Sequence, residues 1–253
     1  MLRLYCYVVF FTVCISSSVF ADFSSQQRVH SLFNSELLRE DEWLLDLLPS
    51  ASAQYGVTKN LELGTSAFFL MGSIPNFFLK HRMFIIGKTE TSFSSFTLVS
   101  PTKSHGTNYS SSGIFSLHGI VTSYNPTSSL YLNAGIMHFY GLLHNKERDR
   151  SLGHIHFRHE ADMYVGVLGF EQYMSSKWAL RAFVLLPLYA EANLTSDVGD
   201  ANMSLSGNFT LWEKAYFANA SLIRSWNIFN LEFGLLGIGE IAIPYINIFW
   251  RWH

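Results

Sequence analysis

The densest group of side chains able to bind a metal or move a proton is Gly153-His154-Ile155-His156-Phe157-Arg158-His159-Glu160-Ala161-Asp162. Side chains alternate between the two faces of an extended strand, so His154 and His156 share a face with Glu160 and Asp162, and His159 points the other way. Two imidazoles at i and i+2 beside a carboxylate could ligate a transition metal, which makes His154, His156 and Glu160 the metal candidates. Their spacing matches no defined metal motif. The adjoining Asn145-Lys146-Glu147-Arg148-Asp149-Arg150 reads as a solvated loop. Neither a metal nor another cofactor is expected.

Ser116 and His118 form a second pair, on one face of a strand, but neighbours at i and i+2 stand about 6.5–7 Å apart. Serine chemistry needs a base within hydrogen-bond reach and a third group to orient that base. No catalytic residue is assigned on this evidence and no enzyme is expected. A hydrolase would require folding to bring a Ser or Asp to one of the histidines. His81, His118 and His138 read as polar residues facing an interior.

A third set is ionic. Glu62, Arg181, Arg224, Glu232 and Arg251 interrupt otherwise apolar alternating segments. Charges on the inner face of a closed sheet line a pore and set what permeates it. The alternative is that they pair with one another and fill a narrow lumen.

These residues imply a sheet, and the composition says what solvates it. Of 253 residues, 49% are hydrophobic, 16% aromatic and only 14% charged. A water-soluble domain carries roughly a quarter charged residues. Past residue 21 no apolar run approaches the roughly 20 residues of a membrane helix. Alternation resolves the paradox. Leu61, Leu63 and Thr65 oppose Glu62, Gly64 and Ser66; Leu130, Leu132 and Ala134 oppose Tyr131, Asn133 and Gly135; Ile246, Ile248, Trp250 and Trp252 oppose Asn247, Phe249 and Arg251. Such segments put one face in lipid and the other in a lumen. Aromatics at segment ends, among them Trp43, Tyr55, Tyr124, Trp178, Tyr189, Trp212, Trp226, Trp250 and Trp252, suit girdles at two membrane interfaces. The net charge of −2 gives no footing for a nucleic-acid partner.

Residues 1–21 read as a secretory signal peptide: Arg3, an apolar stretch from Leu4 to Ile15, then Ser16 to Ala21. Both cysteines, Cys6 and Cys14, lie within it, so the remaining chain has neither a disulfide nor a thiol nucleophile. Eleven strands are legible, near 42–57, 60–71, 77–87, 90–100, 112–124, 129–140, 161–172, 177–190, 210–225, 229–239 and 241–252. Short turns alternate with longer polar connections at 100–112, 141–160 and 191–209. Single-chain bacterial barrels have even strand numbers, so residues 22–41 supply either a first strand, the preferred reading, or a plug threading the lumen. The opening Asn60-Leu61-Glu62-Leu63-Gly64 recurs as Asn230-Leu231-Glu232-Phe233-Gly234, one hairpin solution used twice.

The stretch from Glu36 to Trp43, followed by Gln54-Tyr55-Gly56-Val57-Thr58-Lys59-Asn60-Leu61-Glu62-Leu63-Gly64, resembles the opening of uncharacterised, porin-like or transporter-like bacterial outer-membrane β-barrel proteins. Ile243-Pro244-Tyr245-Ile246-Asn247-Ile248-Phe249-Trp250-Arg251-Trp252 resembles their closing strand, whose aromatic end is read by the barrel-assembly machinery. Here His253 follows that aromatic. The resemblance implies a fold and a location, and no catalytic residues.

The expectation is an all-β, closed antiparallel transmembrane barrel of about twelve strands (10–12) over residues 42–253, exported to a bacterial outer membrane. Its expected partners are outer-membrane lipid, the barrel-assembly machinery and small solutes. A small passive channel is the first functional reading. The alternative is a closed structural or adhesion barrel acting through its external loops.

Overall fold

The computed structural model describes residues 31–47, 52–104, 109–149, 153–198, 201–208, 217–226, 228–238 and 241–252; the expected signal peptide and Trp212 lie outside them. Thirteen strands form one antiparallel sheet: β1 (Trp43–Asp46), β2 (Ser52–Thr58), β3 (Leu61–Ser66), β4 (Asn76–Ile86), β5 (Thr89–Ser104), β6 (Tyr109–Thr127), β7 (Leu130–Asp149), β8 (Gly153–Ser175), β9 (Trp178–Val198), β10 (Ala201–Asn208), β11 (Phe217–Trp226), β12 (Phe229–Ile238) and β13 (Ile241–Trp252). Among the described residues one short helix, α1 (Ala67–Met71), lies between β3 and β4.

Neighbours in the chain pair in order, and β13 returns to β1 through Trp43↔Trp252 and Asp46↔Phe249, which closes the sheet. Both β10 and β11 run antiparallel to β9. The first pairs with Glu191–Val198 and the second with Trp178–Leu185, so together they make one stave in two pieces. The barrel therefore has twelve staves, as expected. Its first stave is β1, however, and residues 22–30 of the expected first strand lie outside the described ones. The expected strand 42–57 is two strands, β1 and β2, and the described residues 31–42 form none.

One end of the barrel carries short turns. Gly87, at φ 59°, sits in the two-residue turn between β4 and β5, where a side chain would be strained. At the other end the expected polar connections are largely strand. The β7–β8 ladder continues to Asp149↔Gly153, and β8 has 23 residues, about 75 Å at the usual rise. A hydrocarbon band needs only about 9–11 tilted residues, so half of each long hairpin stands in water. With water on both faces the apolar alternation disappears, although the backbone ladder persists. That is why composition alone reads these segments as loops.

Alternation sets the faces. Val121, Met137, Val167, Ala179 and Ile223 are buried on the inner side, whereas Ile120, Ile136, Leu168, Leu180 and Phe233 are exposed on the outer. Such an outer wall is solvated by hydrocarbon, and the chain is a membrane-spanning barrel. Three consecutive staves depart from the rest: β1, β2 and β3 have only 4, 7 and 6 residues.

Candidate functional site

Residues 31–42 touch inner-wall groups from strands on every side of the barrel, so they run through the lumen. Leu32 and Phe33 pack against Val121, Met137 and Val167 on β6, β7 and β8. Leu38 joins Leu44, Ala179, Ile223 and Phe249 on the opposite side. Between these apolar contacts the segment is held by ionised and polar groups. Glu62 on β3 accepts the Leu38 N–H at 3.0 Å. Lys80 on β4, fully buried, donates to the Ser31 carbonyl at 2.8 Å and to the Glu36 carbonyl. Asn34 donates to Glu171 at 2.6 Å, and the Ser123 hydroxyl accepts the Ser35 N–H at 3.0 Å. Arg251 grips Glu42 with two hydrogen bonds, at 2.6 and 2.9 Å, and stands 3.7 Å from Glu36. A buried carboxylate or ammonium is tolerated only with partners such as these.

The segment approaches the wall most closely at Gly56. Asp41 N–H donates to the Gly56 carbonyl and Gly56 N–H to the Glu42 carbonyl, both at 2.9 Å. A Cβ at Gly56 would stand 1.8 Å from the Arg39 carbonyl oxygen. Gly56→Ala must therefore push the segment off the wall. Solute leak through reconstituted Gly56→Ala should exceed wild type, while the shift in gel mobility on heating, which reports barrel closure, should be retained.

Leu117 and Phe139 face each other across one inner row of the wall, and Leu117 packs against the same Val121, Met137 and Val167 cluster as Leu32 and Phe33. Just beyond it, toward the long hairpins, lies a hollow of about 490 Å³. Leu98, Phe115, Phe139 and Leu143 line it, and Gly141, Ala161 and Ala192 leave its space. The lumen thus has two parts: an apolar hollow at the long-hairpin end, and a polar lock beneath it.

Four of the five expected pore residues are inside, and each is engaged. Glu62 and Arg251 hold the lumen segment. Arg181 pairs with Glu232, which also accepts the Tyr245 hydroxyl at 2.7 Å. The twin Asn-Leu-Glu openings therefore serve two tasks, Glu62 toward the segment and Glu232 toward the opposite wall. Arg224 corrects the expectation. It lies between inward Ile223 and Ser225 and so points outward, with its guanidinium 4.7 Å from the Trp178 ring and 5.3 Å from that of Trp226. The aromatic girdle accommodates this cation at the membrane interface, where cation–π contact offsets its partial desolvation.

Among the metal candidates, Glu160 is taken by Arg158 at 3.1 Å and Tyr140 at 3.3 Å, and the His154 side chain lies outside the described set. Among the described residues no group of three or more His, Cys, Asp or Glu is arranged to hold a metal. His81, His118 and His138, expected inside, share the outward face, because the inward positions of their strands belong to Lys80, Val121 and Met137. The sequence reading missed Lys80, Asn34, Glu36, Glu42 and Glu171. Lys80 had a local signal, a charge in the apolar run Phe77-Phe78-Leu79. The others acquire their role only from partners such as Arg251, 209 positions from Glu42.

No family model matches this chain and no curated protein does. Among solved structures it is similar to the Pseudomonas putida toluene transporter TodX, at 16% identity and a TM-score of 0.46, over 83% of this chain and 66% of that one. A deltaS2 mutant of the TodX monoaromatic hydrocarbon channel gives 14% identity and a TM-score of 0.46, over 83% and 65%. This chain thus spans slightly less than two thirds of their length.

Proposed function

We propose that this chain is an outer-membrane channel for small, uncharged, largely apolar solutes, with residues 31–42 as its lock. The short-turn end faces the periplasm and the long hairpins face outward, after export directed by residues 1–21. The hollow of about 490 Å³ carries this reading, because it is apolar, opens beyond the lock and is of ligand size. A solute accumulates there and passes when the lock shifts. The inward charges dock the lock, as Glu62 and Arg251 do, or pair across the wall, as Arg181 and Glu232 do, and do not form a free selectivity ring.

Uptake of an uncharged aromatic fluorophore into proteoliposomes tests the proposal, with a charged dye of equal size as reference. Preferential, saturable uptake supports the channel, and equal slow leak of both dyes overturns it. Gly141→Leu gives a sharper check. A Cβ there meets only ordinary contacts, the nearest at 3.6 Å, so the larger side chain projects into the hollow. The steric cost of sharing that volume should weaken fluorophore binding by about 10–100-fold, read by fluorescence titration on protein with an unchanged melting transition.

A second reading has an observation of its own. The lumen is obstructed by residues 31–42, as a closed barrel acting through its long hairpins would require. Transport by the unaltered chain separates the two.

A further inference from the structure

The outer wall carries a polar row that the lumen does not use. His118 on β6 pairs directly with His138 on β7, and His138 Nδ1 lies 3.0 Å from His118 Nε2. His138 Nε2 lies 2.8 Å from Asp162 Oδ1. An ionised carboxylate only accepts, so His138 carries its proton on Nε2 and accepts on Nδ1. His118 must then donate from Nε2, which leaves its Nδ1 with a bare lone pair. Tyr164 stacks on His138 at 4.6 Å and fixes the ring plane. The row continues on the far side of His118. Ser95 on β5 is its register partner on the same face, and such partners hold their Cβ atoms about 4.5–5.5 Å apart.

The level of this row is informative. Two positions toward the short turns, the same face presents exposed Ile120 and Ile136, and two further on β8 presents exposed Leu168. Toward the long hairpins, β8 and β9 present Arg158, Glu160, Glu191 and Asn193. On β8 and β9 the row therefore borders the polar zone where the acyl ester bonds of membrane lipids lie, while on β5 and β6 exposed Val99 and Ile114 carry the apolar face past it. Ionisable groups on a lipid-facing wall are costly and mark function when they persist.

We propose that Ser95, His118, His138 and Asp162 form an acyl-ester hydrolase site on the lipid-facing wall, acting on membrane lipids. Ser95 Oγ attacks the ester carbonyl carbon as its proton passes to His118 Nδ1, and a tetrahedral intermediate forms. The bond from that carbon to the alcohol oxygen breaks, the leaving oxygen takes the proton from His118, and an acyl-Ser95 remains. Water, deprotonated by the same Nδ1, then releases a fatty acid and restores the serine hydroxyl. Ser95 and His118 are the catalytic residues. His138 and Asp162 are positioning residues that fix the tautomer and spread the imidazolium charge.

The test uses the full chain in phospholipid vesicles and measures fatty acid release and labelling by an alkyl fluorophosphonate, located by peptide mass spectrometry. Wild type should release fatty acid and take the label on Ser95. Ser95→Ala should abolish the label and cut release by about 10³-fold or more, and Ser116→Ala should change neither. Asp162→Asn should lower release by about 10²–10⁴-fold. The loss should fall on kcat and leave KM for vesicle lipid unchanged, because Asp162 acts through His138 and touches no substrate. The proposal is overturned by absent release, by a label on another serine, by wild-type release from Ser95→Ala, or by an Asp162→Asn variant that changes KM and not kcat. It is independent of the channel reading, since Ser95→Ala leaves solute uptake untouched.

Discussion

Excising residues 31–41 should convert the barrel into an open conduit, raising solute flux by at least about tenfold and producing steady conductance in planar bilayers. Three features combine to give this result. The segment supplies the apolar filling between β6–β8 on one side and β11–β13 on the other. Its removal leaves Lys80, Glu62 and Glu171 facing a lumen that water fills, so their desolvation is relieved and not left uncompensated. The wall keeps its ladders, because no strand-to-strand pairing runs through these residues. The reverse manipulation acts oppositely. Ser35→Cys with Ser123→Cys bridges a contact whose N–H and hydroxyl already meet at 3.0 Å, and the oxidised form should stay closed until reduced. Equal flux through oxidised and reduced forms would remove the lock from the mechanism.

Arg251→Ala should be the most destabilising single change in the lumen, costing about 3–5 kcal/mol. It removes two hydrogen bonds from Glu42, which is almost wholly buried, and a guanidinium 3.7 Å from Glu36. The position matters as much as the charge. Arg251 lies on β13 opposite Leu44, at the seam where the last strand meets the first, and Glu42 immediately precedes β1. One ion pair therefore fastens both the lock and the closure. Arg251→Lys should recover only part of the loss, since an ammonium does not reproduce the two-pronged contact. Arg251→Ala with Glu42→Ala should be milder than Arg251→Ala alone, because the more deeply buried of the two carboxylates goes with its cation. The thermal unfolding midpoint and the fraction of closed barrel on unheated gels measure all three. A midpoint for Arg251→Ala within a degree of wild type would contradict the assignment.

The barrel was legible because lipid imposes a period of two on every stave it touches, and segments such as Leu130–Ile136 show it plainly. Alternation divides a strand into two faces without stating which is outward when both mix polar and apolar groups. His118 and His138 fell on the wrong side for that reason, as did Arg224, whose guanidinium sits between Trp226 of its own strand and Trp178 of the neighbouring β9. The lock was half legible. Leu32, Phe33, Leu37 and Leu38 announce burial without a strand pattern, but their acidic and amide companions acquire meaning only from residues far along the chain.

The short staves β1–β3 have a consequence outside the protein. Strands of 4, 7 and 6 residues fall below the hydrocarbon thickness that their neighbours span. Bilayers answer such mismatch by thinning locally, at a fraction of a kcal/mol per ångström. The lipid annulus of this barrel should consequently be lopsided, pinched along one flank and relaxed along the rest. Two barrels that share a pinched flank disturb less lipid than two apart, which gives the molecule a preferred side for meeting its neighbours in the plane of the membrane.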